Sequence, residues 1–231
     1  DPAHALQGLS LQHPLGTDHL GRDVLSRVLH GGQRTLLQGA ASTALAVMLG
    51  TALGLLAAGV PRPLADVLSS LIDAGLAWPP LLLALVVMTL LGRDPLALVL
   101  AVGLSQMPQQ ARVIRTAAIS LNSALYLEAA RSMGAGRGWM LWRHSLPNLQ
   151  PILMTYAGIV FSYAILSAAA LSFLGLGGQP GVPDWGIMLA DGRQSFRSAP
   201  WVALSPGLAI TLTIFVLNRL IDAYSHRHRP R

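Results

Sequence analysis

The sequence predicts an all-α, polytopic membrane protein in which five helices cross the bilayer. Three observations indicate this fold class. Of the 231 residues, 52% are hydrophobic and only 11% are charged, whereas soluble domains carry about 25% charged residues. The apolar residues also come in runs long enough to span a hydrocarbon core of about 30 Å as a helix. Finally, the runs are too long for strands and lack their alternating pattern, which excludes a membrane β-barrel.

The predicted spans follow one another along a single membrane domain, residues 36–231. They cover residues 36–60, 67–91, 96–111, 151–176 and 202–217. Residues 1–35 are polar and mixed, and we expect them to form an external N-terminal segment.

The first span carries two glycines at a spacing of four, Gly50 and Gly54. Small residues at this spacing let two helices approach closely in lipid. The face they form is either a seam with another membrane subunit or a packing face within this chain's own bundle.

The second span contains a carboxylate, Asp73, and a proline pair, Pro79 and Pro80. An ionisable residue within a membrane span is a functional candidate by default, but Asp73 also suits the end of a helix at the membrane interface. The proline pair should break or kink the helix. In a transporter such a break can line the solute path, and the alternative is a simple kink.

Residues 112–150 are rich in arginine, and we predict that they form a loop. When the connections are assigned to alternate sides of the membrane, more arginines fall on the side of this loop and of the C-terminus. Because positively charged loops stay inside, this side is predicted to be cytoplasmic. Five spans leave the N-terminus outside, and one further span upstream of Asp1 would bring both ends into the cytoplasm.

A local pattern within this loop carries the strongest functional signal. Glu128 is the only glutamate of the chain and suits the positive N-terminal end of a short helix. Gly134 is predicted to end that helix, and a second short helix leads to the next span. A compact helix–turn–helix of this kind is suited to docking into a partner's groove. Its key residues are Glu128, Ala129, Ala130, Gly134, Ala135, Gly136, Leu146 and Pro147.

The composition excludes several classes of site. The chain contains no lysine, and the phosphate-binding loop of ATPases requires one. It contains no cysteine, so disulfides, thiolate metal sites and cysteine nucleophiles are excluded. The seven histidines lie outside the spans without the spacing of metal ligands, so no metal site is predicted. The arginine excess favours a lipid surface over nucleic acid.

Four motifs together resemble one family. The pattern from Glu128 to Pro147 is similar to the cytoplasmic loop of bacterial ABC-importer permeases. The stretches His13–Arg27, Ser172–Gly177 and Pro183–Gly186 resemble the dipeptide/oligopeptide/nickel subgroup, in its "C"-type inner-membrane subunit. The last of these stretches is either an external loop that meets a binding protein or a packed plug. The resemblance implies the type I ABC-importer permease fold, with six helices of which the first lies upstream of Asp1.

The resemblance also implies a function. The chain would be a multi-pass permease of the bacterial inner membrane that translocates a small solute, a di- or oligopeptide or a nickel or other metal chelate. Its partners would be a homologous permease, two cytoplasmic ATPases that use ATP and Mg²⁺, an external solute-binding protein and the lipid bilayer. The chain itself would need no cofactor and catalyse no reaction, and the loop Glu128–Pro147 would couple it to an ATPase. A secondary transporter and a non-transporting scaffold are the alternatives. A secondary transporter usually needs buried ionisable groups along its path, and Asp73 is the only such candidate within the predicted spans.

Overall fold

The computed structural model describes residues 2–122, 132–177 and 181–227, and these residues form a helical bundle. The helices, numbered here in chain order, are α1 Val24–Gly59, α2 Arg62–Leu76, α3 Pro80–Leu91, α4 Pro95–Asn122, the short α5 Arg137–Met140, α6 Leu146–Phe173, α7 Trp185–Gln194 and α8 Trp201–Arg227. A π-helical turn, Leu141–Ser145, joins α5 to α6, and a 3₁₀ turn, Pro2–His4, lies near the start of the chain.

Three of the described helices are long and apolar enough to cross a membrane by themselves: Val24–Gly59, Arg143–Phe173 and Trp201–Ser225. A fourth candidate is the pair α2 and α3, which meet at an angle of 91°. The predicted span 67–91 is therefore not one continuous helix. Pro79 is the N-cap of α3 and Pro80 its first residue. Since neither proline has a backbone N–H to donate, the helical hydrogen-bond ladder stops at this point.

Helix α4 covers the third predicted span but does not reach the apolarity expected of a membrane helix by composition alone, so the number of five spans stays a prediction. Its polar residues explain this result. Gln106 and Gln110 are 6% and 0% exposed, which means that they point into the bundle.

Two boundaries differ from the sequence-based prediction. Helix α1 begins at Val24, well before the predicted start at residue 36, because Asp23 caps it. Helix α4 continues through the arginines that the sequence predicts to begin a loop, and it reaches Asn122, the last residue that the structure describes before residue 132. The reason is that Ala111, Ile114 and Ala118 keep one buried face in helical register, with exposures of 0%, 0% and 4%.

The core has two main clusters. One joins α3, α4 and α6 through residues such as Met88, Leu98 and Leu171. The other joins α1, α6, α7 and α8 through residues such as Ile165 and Trp185. Helix α1 has 36 residues and measures roughly 54 Å at 1.5 Å per residue. It is therefore longer than a hydrocarbon core, and its first turns pack against residues outside the long helices.

Candidate functional site

Residues 2–23 and helix α7 together cover one end of the bundle, and we call them the end cap. Hydrogen bonds from two tryptophans help to fix the end cap to the long helices. The indole N–H of Trp185 donates to the carbonyl of Val28 at 2.9 Å, and its backbone N–H donates to the hydroxyl of Thr35 at 3.2 Å. The indole N–H of Trp201 donates to the carbonyl of Thr17 at 3.2 Å. Segments far apart in the sequence therefore meet here.

The loop before α1 owes its shape to two aspartates. The Asp18 carboxylate accepts hydrogen bonds from the backbone N–H groups of Leu20 and Arg22, each at 2.9 Å. Asp23 accepts one from Ser26 N–H at 2.7 Å and so caps the first turn of α1. It also pairs with His13 Nδ1 at 3.0 Å. Within the described residues, no cluster of three or more His, Cys, Asp or Glu side chains is arranged to hold a metal ion.

Four charged residues link the two parts of the end cap, and sequence reasoning missed them as a group. Asp18 Oδ2 lies 2.7 Å from Arg22 Nε and 3.6 Å from Arg27 Nε. Asp191 Oδ2 in α7 lies 3.4 Å from Arg27 Nη2. The side chains of Asp18 and Arg27 are only 3% and 10% exposed. Only the four-residue spacing of Asp18 and Arg22 was visible in the sequence, because Asp191 is 164 positions from Arg27.

The two buried aspartates of the end cap have pKa values shifted in opposite directions. Burial acts to raise the pKa of Asp18, but the backbone and side-chain hydrogen bonds from Arg22 outweigh it, so this pKa lies below its usual range. Burial raises the pKa of Asp184, and the hydrogen bond from Ile187 N–H only partly opposes the shift. Asp18 is therefore stabilised as a carboxylate, whereas the surroundings of Asp184 disfavour its charge.

The predicted motif Pro183–Gly186 is a packed element. Asp184 and Trp185 are 2% and 5% exposed, which supports the packed-plug alternative over an open loop. A Cβ atom added at Gly186 would clash with the carbonyl oxygen of Ala169 and with Ser172. The motif Ser172–Gly177 thus lies directly against Pro183–Gly186, and both lie near the start of α1.

Residues 132–147 are open to solvent at several positions. Gly134 and Gly136 are exposed, and Met133 is 82% exposed. Gly134 has a φ of +84°, a conformation that other residues adopt only with strain. Pro147 is exposed in the first turn of α6, and Ala135 and Leu146 are half-buried. Glu128, Ala129 and Ala130 lie outside the described residues.

Gly50 and Gly54 pack against α4 of the same chain. A Cβ added at Gly50 would lie 2.7 Å from the side chain of Gln110, and one at Gly54 would lie 2.5 Å from the carbonyl oxygen of Ala111. Of the two alternatives for this face, the structure therefore shows the contact within the chain's own bundle.

Asp73 lies in the last turn of α2 and is exposed, with its carboxylate 4.0 Å from Arg112 Nη1. Both side chains of this pair are 63% exposed, and an ion pair so open contributes little to stability. Of the three predicted pathway residues, Asp73, Pro79 and Pro80, the last lines a cavity.

That cavity, which we call the polar cleft, has a volume of about 550 Å³. It lies between the break of α2 and α3, the middle of α4 and the middle of α6. Its lining includes Trp78, Gln106, Gln109, Tyr156, Tyr163 and Ser167. None of the described lining residues carries a formal charge at neutral pH.

A second concavity has the opposite character, and we call it the apolar groove. It has a volume of about 850 Å³ and lies between α1 and α8. Leucine, valine, alanine and phenylalanine side chains form most of its lining, with Gln33 and Thr213 as the polar exceptions. The bundle therefore has one apolar side, suited to lipid, and one side with a cleft in which hydroxyl and amide groups lie among apolar side chains such as Leu76, Leu81, Ile159 and Val160.

Comparison with known proteins identifies the family. Residues 50–231 match the family model "Binding-protein-dependent transport system inner membrane component". The chain belongs to this family. It is therefore a permease component of a transport system, which confirms the resemblance drawn from its motifs.

Several curated relatives of this permease are similar over nearly the whole chain. It is 37% identical to the dipeptide transport system permease of Alkalihalophilus pseudofirmus, with 100% of this chain and 76% of the relative covered. It is 40% identical to the di/tripeptide transport system permease of Pseudomonas aeruginosa, again over 100% and 76% of the two chains. It is 41% identical to the glutathione transport system permease of Pectobacterium atrosepticum, over 97% and 75%.

The fold of the permease also matches solved structures. A chain of the methionine ABC transporter MetNI in an inward-facing conformation superposes with a TM-score of 0.74, covering 89% of this chain and 98% of that chain at 18% identity. A second crystal form of the same transporter gives a TM-score of 0.67. The permease fold of a type I ABC importer predicted from the motifs is thus confirmed.

Proposed function

We propose that this permease is one of two membrane subunits of an ATP-driven importer that takes up short peptides from an external binding protein. The observation that carries the proposal is the similarity, over nearly the whole chain, to permeases named for dipeptides, di/tripeptides and glutathione. Glutathione is itself a short peptide, so the three names share one chemical class. A nickel or other metal chelate is the competing solute and serves as the comparison in the uptake experiment.

The energy source is proposed to lie on other chains. This sequence contains no lysine and hence no phosphate-binding loop of the usual type. Two cytoplasmic ATPases would bind ATP and Mg²⁺, and a homologous permease would complete the membrane pore. ATP binding would close the ATPase pair and turn the permeases outward, and hydrolysis would return them to the inward-facing state.

The coupling element is proposed to be the loop Glu128–Pro147. The exposure of Met133, Gly134 and Gly136 supports this role, since a partner can reach these residues. Replacing Glu128 with Arg, or Gly134 with Pro, is expected to abolish ATP-driven uptake while the permease remains inserted in the membrane.

A matched pair of glycines tests the coupling loop more finely. Gly134 has a φ of +84° and Gly136 does not have a positive φ, while an added Cβ at either residue has open space around it. Gly134→Ala should therefore strain the turn and lower uptake severalfold, whereas Gly136→Ala should leave the turn unstrained. Uptake and ATP hydrolysis are measured in proteoliposomes that contain the whole complex. Equal uptake by both variants would count against the coupling role of this turn.

The orientation is proposed to place this loop and the C-terminus in the cytoplasm. Arg62, Arg112 and Arg219 support it, because they lie at the end of the bundle remote from the end cap and positive charge favours the inside. The chain has no cysteine, so single cysteines report sidedness directly. Gly8→Cys should react with an impermeant maleimide in spheroplasts, and Gly136→Cys only in inverted vesicles. The reverse pattern would refute the orientation.

The function itself is tested by reconstituting the permease with its partner permease, ATPases and binding protein. We expect uptake of a radiolabelled dipeptide that depends on ATP and on the binding protein. Uptake driven by a proton gradient without ATP would instead indicate a secondary transporter. Uptake of a nickel chelate but of no peptide would reassign the solute, and no uptake of either would favour a scaffold.

A further inference from the structure

We infer that the polar cleft is a hydrated, charge-neutral contact surface for the solute, where amide and hydroxyl groups bind the peptide backbone and ionic contacts play no part. The inference rests on the proposed function and extends it, because it states which residues meet the solute within the membrane and by what chemistry.

The first step is the depth of the cleft. Gln106 and Gln109 lie near the middle of α4, and Tyr156 and Tyr163 lie in the middle part of α6. Since both helices have 28 residues, these positions are far from either helix end and fall within the hydrocarbon core. Polar groups at this depth are costly when they face lipid, so they face protein or water.

The second step is that the polar groups are free to bind. Gln109 is exposed and Tyr163 is 57% exposed. Among the described residues, no hydrogen bond occupies the side chains of Gln106, Gln109, Tyr156 or Tyr163. Gln106 is only 6% exposed, and a buried polar side chain that only stabilises a fold normally has a hydrogen-bond partner in the protein or an ordered water. Unpaired groups that converge on one cavity are instead available to a ligand or to water.

The third step is the contrast between the two sides of the bundle. The apolar groove offers mainly hydrocarbon side chains such as Leu36 and Val216. Lipid tails solvate such side chains about as well as a protein interior does. The polar cleft offers amide, hydroxyl and indole groups beside its apolar side chains. This asymmetry indicates that the cleft side faces the pathway and the groove side faces the bilayer.

The fourth step is the absence of charge. The described residues that line the cleft include no Asp, Glu, Arg or His. Asp73 and Arg112 are not among the lining residues and lie 4.0 Å from each other. Glutamine amides both donate and accept hydrogen bonds, as peptide groups do, and tyrosine hydroxyls do the same. Such a surface suits the backbone that all short peptides share and is indifferent to the charge of their side chains.

A charge introduced into the cleft tests whether uptake is independent of the charge of the peptide's side chains. Gln109 is exposed, so Gln109→Glu and Gln109→Arg should both fold. Relative to the unmodified complex, Gln109→Glu should raise the uptake ratio of alanyl-lysine to alanyl-glutamate about tenfold, and Gln109→Arg should lower it by a similar factor. A control charge in the apolar groove is unsuitable, so Arg193→Glu at an exposed position of α7 serves as the control and should leave the ratio unchanged. Unchanged ratios in both Gln109 variants would overturn the inference.

A second measurement does not require transport and separates the inference from the proposed function. Single cysteines at Gln109 and Ser167 should react with a small water-soluble thiosulfonate at least tenfold faster than cysteines at Leu37 and Leu212 in the apolar groove. Equal rates would show that the cleft is not hydrated and would overturn the inference even if peptides are transported. Fast labelling of the cleft together with uptake of no peptide would reject the proposed solute and leave the hydrated surface established.

Discussion

The indole ring of Trp185 lies directly over Gly32, so that a Cβ atom at residue 32 would approach ring atom Cζ2 to 2.8 Å. Helix α7 therefore docks onto α1 at a position without a side chain. The same indole donates its N–H to Val28, one turn earlier in α1. A large aromatic side chain and a glycine thus form a close contact between the end cap and the first long helix.

This contact predicts that Gly32→Ala destabilises the permease. The added methyl group must displace the ring of a tryptophan that is 5% exposed, and overpacking of this kind costs about 1–3 kcal/mol. Gly59→Ala in the same helix is the matched control, because nothing lies within 4 Å of its added Cβ. Alanine also favours a helix over glycine, so the control should be neutral or more stable. Thermal unfolding of the purified subunit in detergent, followed by tryptophan fluorescence, measures both, and a Gly32→Ala variant as stable as Gly59→Ala would contradict this contact.

A second prediction concerns the contact between α1 and α4. Gly54→Ala would place a methyl group 2.5 Å from the backbone oxygen of Ala111, which cannot move without shifting the helix. We expect a loss of about 1–3 kcal/mol in the free energy of unfolding of the isolated subunit. If Gly54 instead formed a seam with the partner permease, the variant would weaken association with the partner and leave the unfolding of the isolated subunit unchanged.

The sequence predicted elements whose signal is local and missed those whose signal is not. Apolar runs and the proline pair are local, so the long helices and the break at Pro79 were predicted. The predicted boundary after residue 111 was wrong, because the arginines that follow it suggested a loop. The buried face formed by Ile114 and its neighbours instead continues the helix. The pairing of Arg27 with Asp191 depends on two residues brought together only by the fold. The polar cleft likewise combines side chains from separate helices.

The charged residues of the end cap yield a third prediction. Arg27→Met should cost about 1–3 kcal/mol, because the nearly buried carboxylate of Asp18 loses one of its two cationic neighbours and Asp191 loses its nearer one. Arg193→Met, an exposed position on α7, is the control and should cost little. Unfolding temperatures in detergent at low and high salt measure the effect. An equal loss in the two variants, or a loss that vanishes at high salt, would show that the contact with Arg27 is only a screened surface interaction.

The pH dependence gives a fourth prediction, in which two aspartates have opposite signs. The pKa of Asp18 is lowered on folding, so its contribution to stability is present above the unfolded value of about 3.9 and is lost as the pH falls through the folded value. The pKa of Asp184 is raised on folding, so its contribution is present below about pH 3.9 and is lost as the pH rises through the folded value.

The two substitutions by asparagine separate these signs. As the pH rises from 3 to 7, the unfolding temperature of the unmodified permease should rise relative to that of the Asp18→Asn variant. Over the same range it should fall relative to that of the Asp184→Asn variant. Asparagine keeps a carbonyl oxygen that can accept the capping hydrogen bond from Ile187 N–H, so the second comparison isolates the charge. Differences that move in the same direction for both variants would show that at least one of these shifts is misassigned.

The last prediction concerns the break between α2 and α3, which forms one wall of the polar cleft. If the prolines cause the bend of 91°, replacing Pro79 and Pro80 with alanine should let the two helices straighten. Spin labels on cysteines at Asp66 and Leu90, both exposed, report the change by pulsed electron resonance in a chain without native cysteine. At 1.5 Å per residue the two positions are about 36 Å apart along a straight helix and about 25 Å apart across a right-angle bend. We expect the shorter distance in the unmodified permease and a population at the longer distance in the double alanine variant. A single short distance in both would mean that packing against α4 holds the bend, and the cleft would then keep its shape without the prolines.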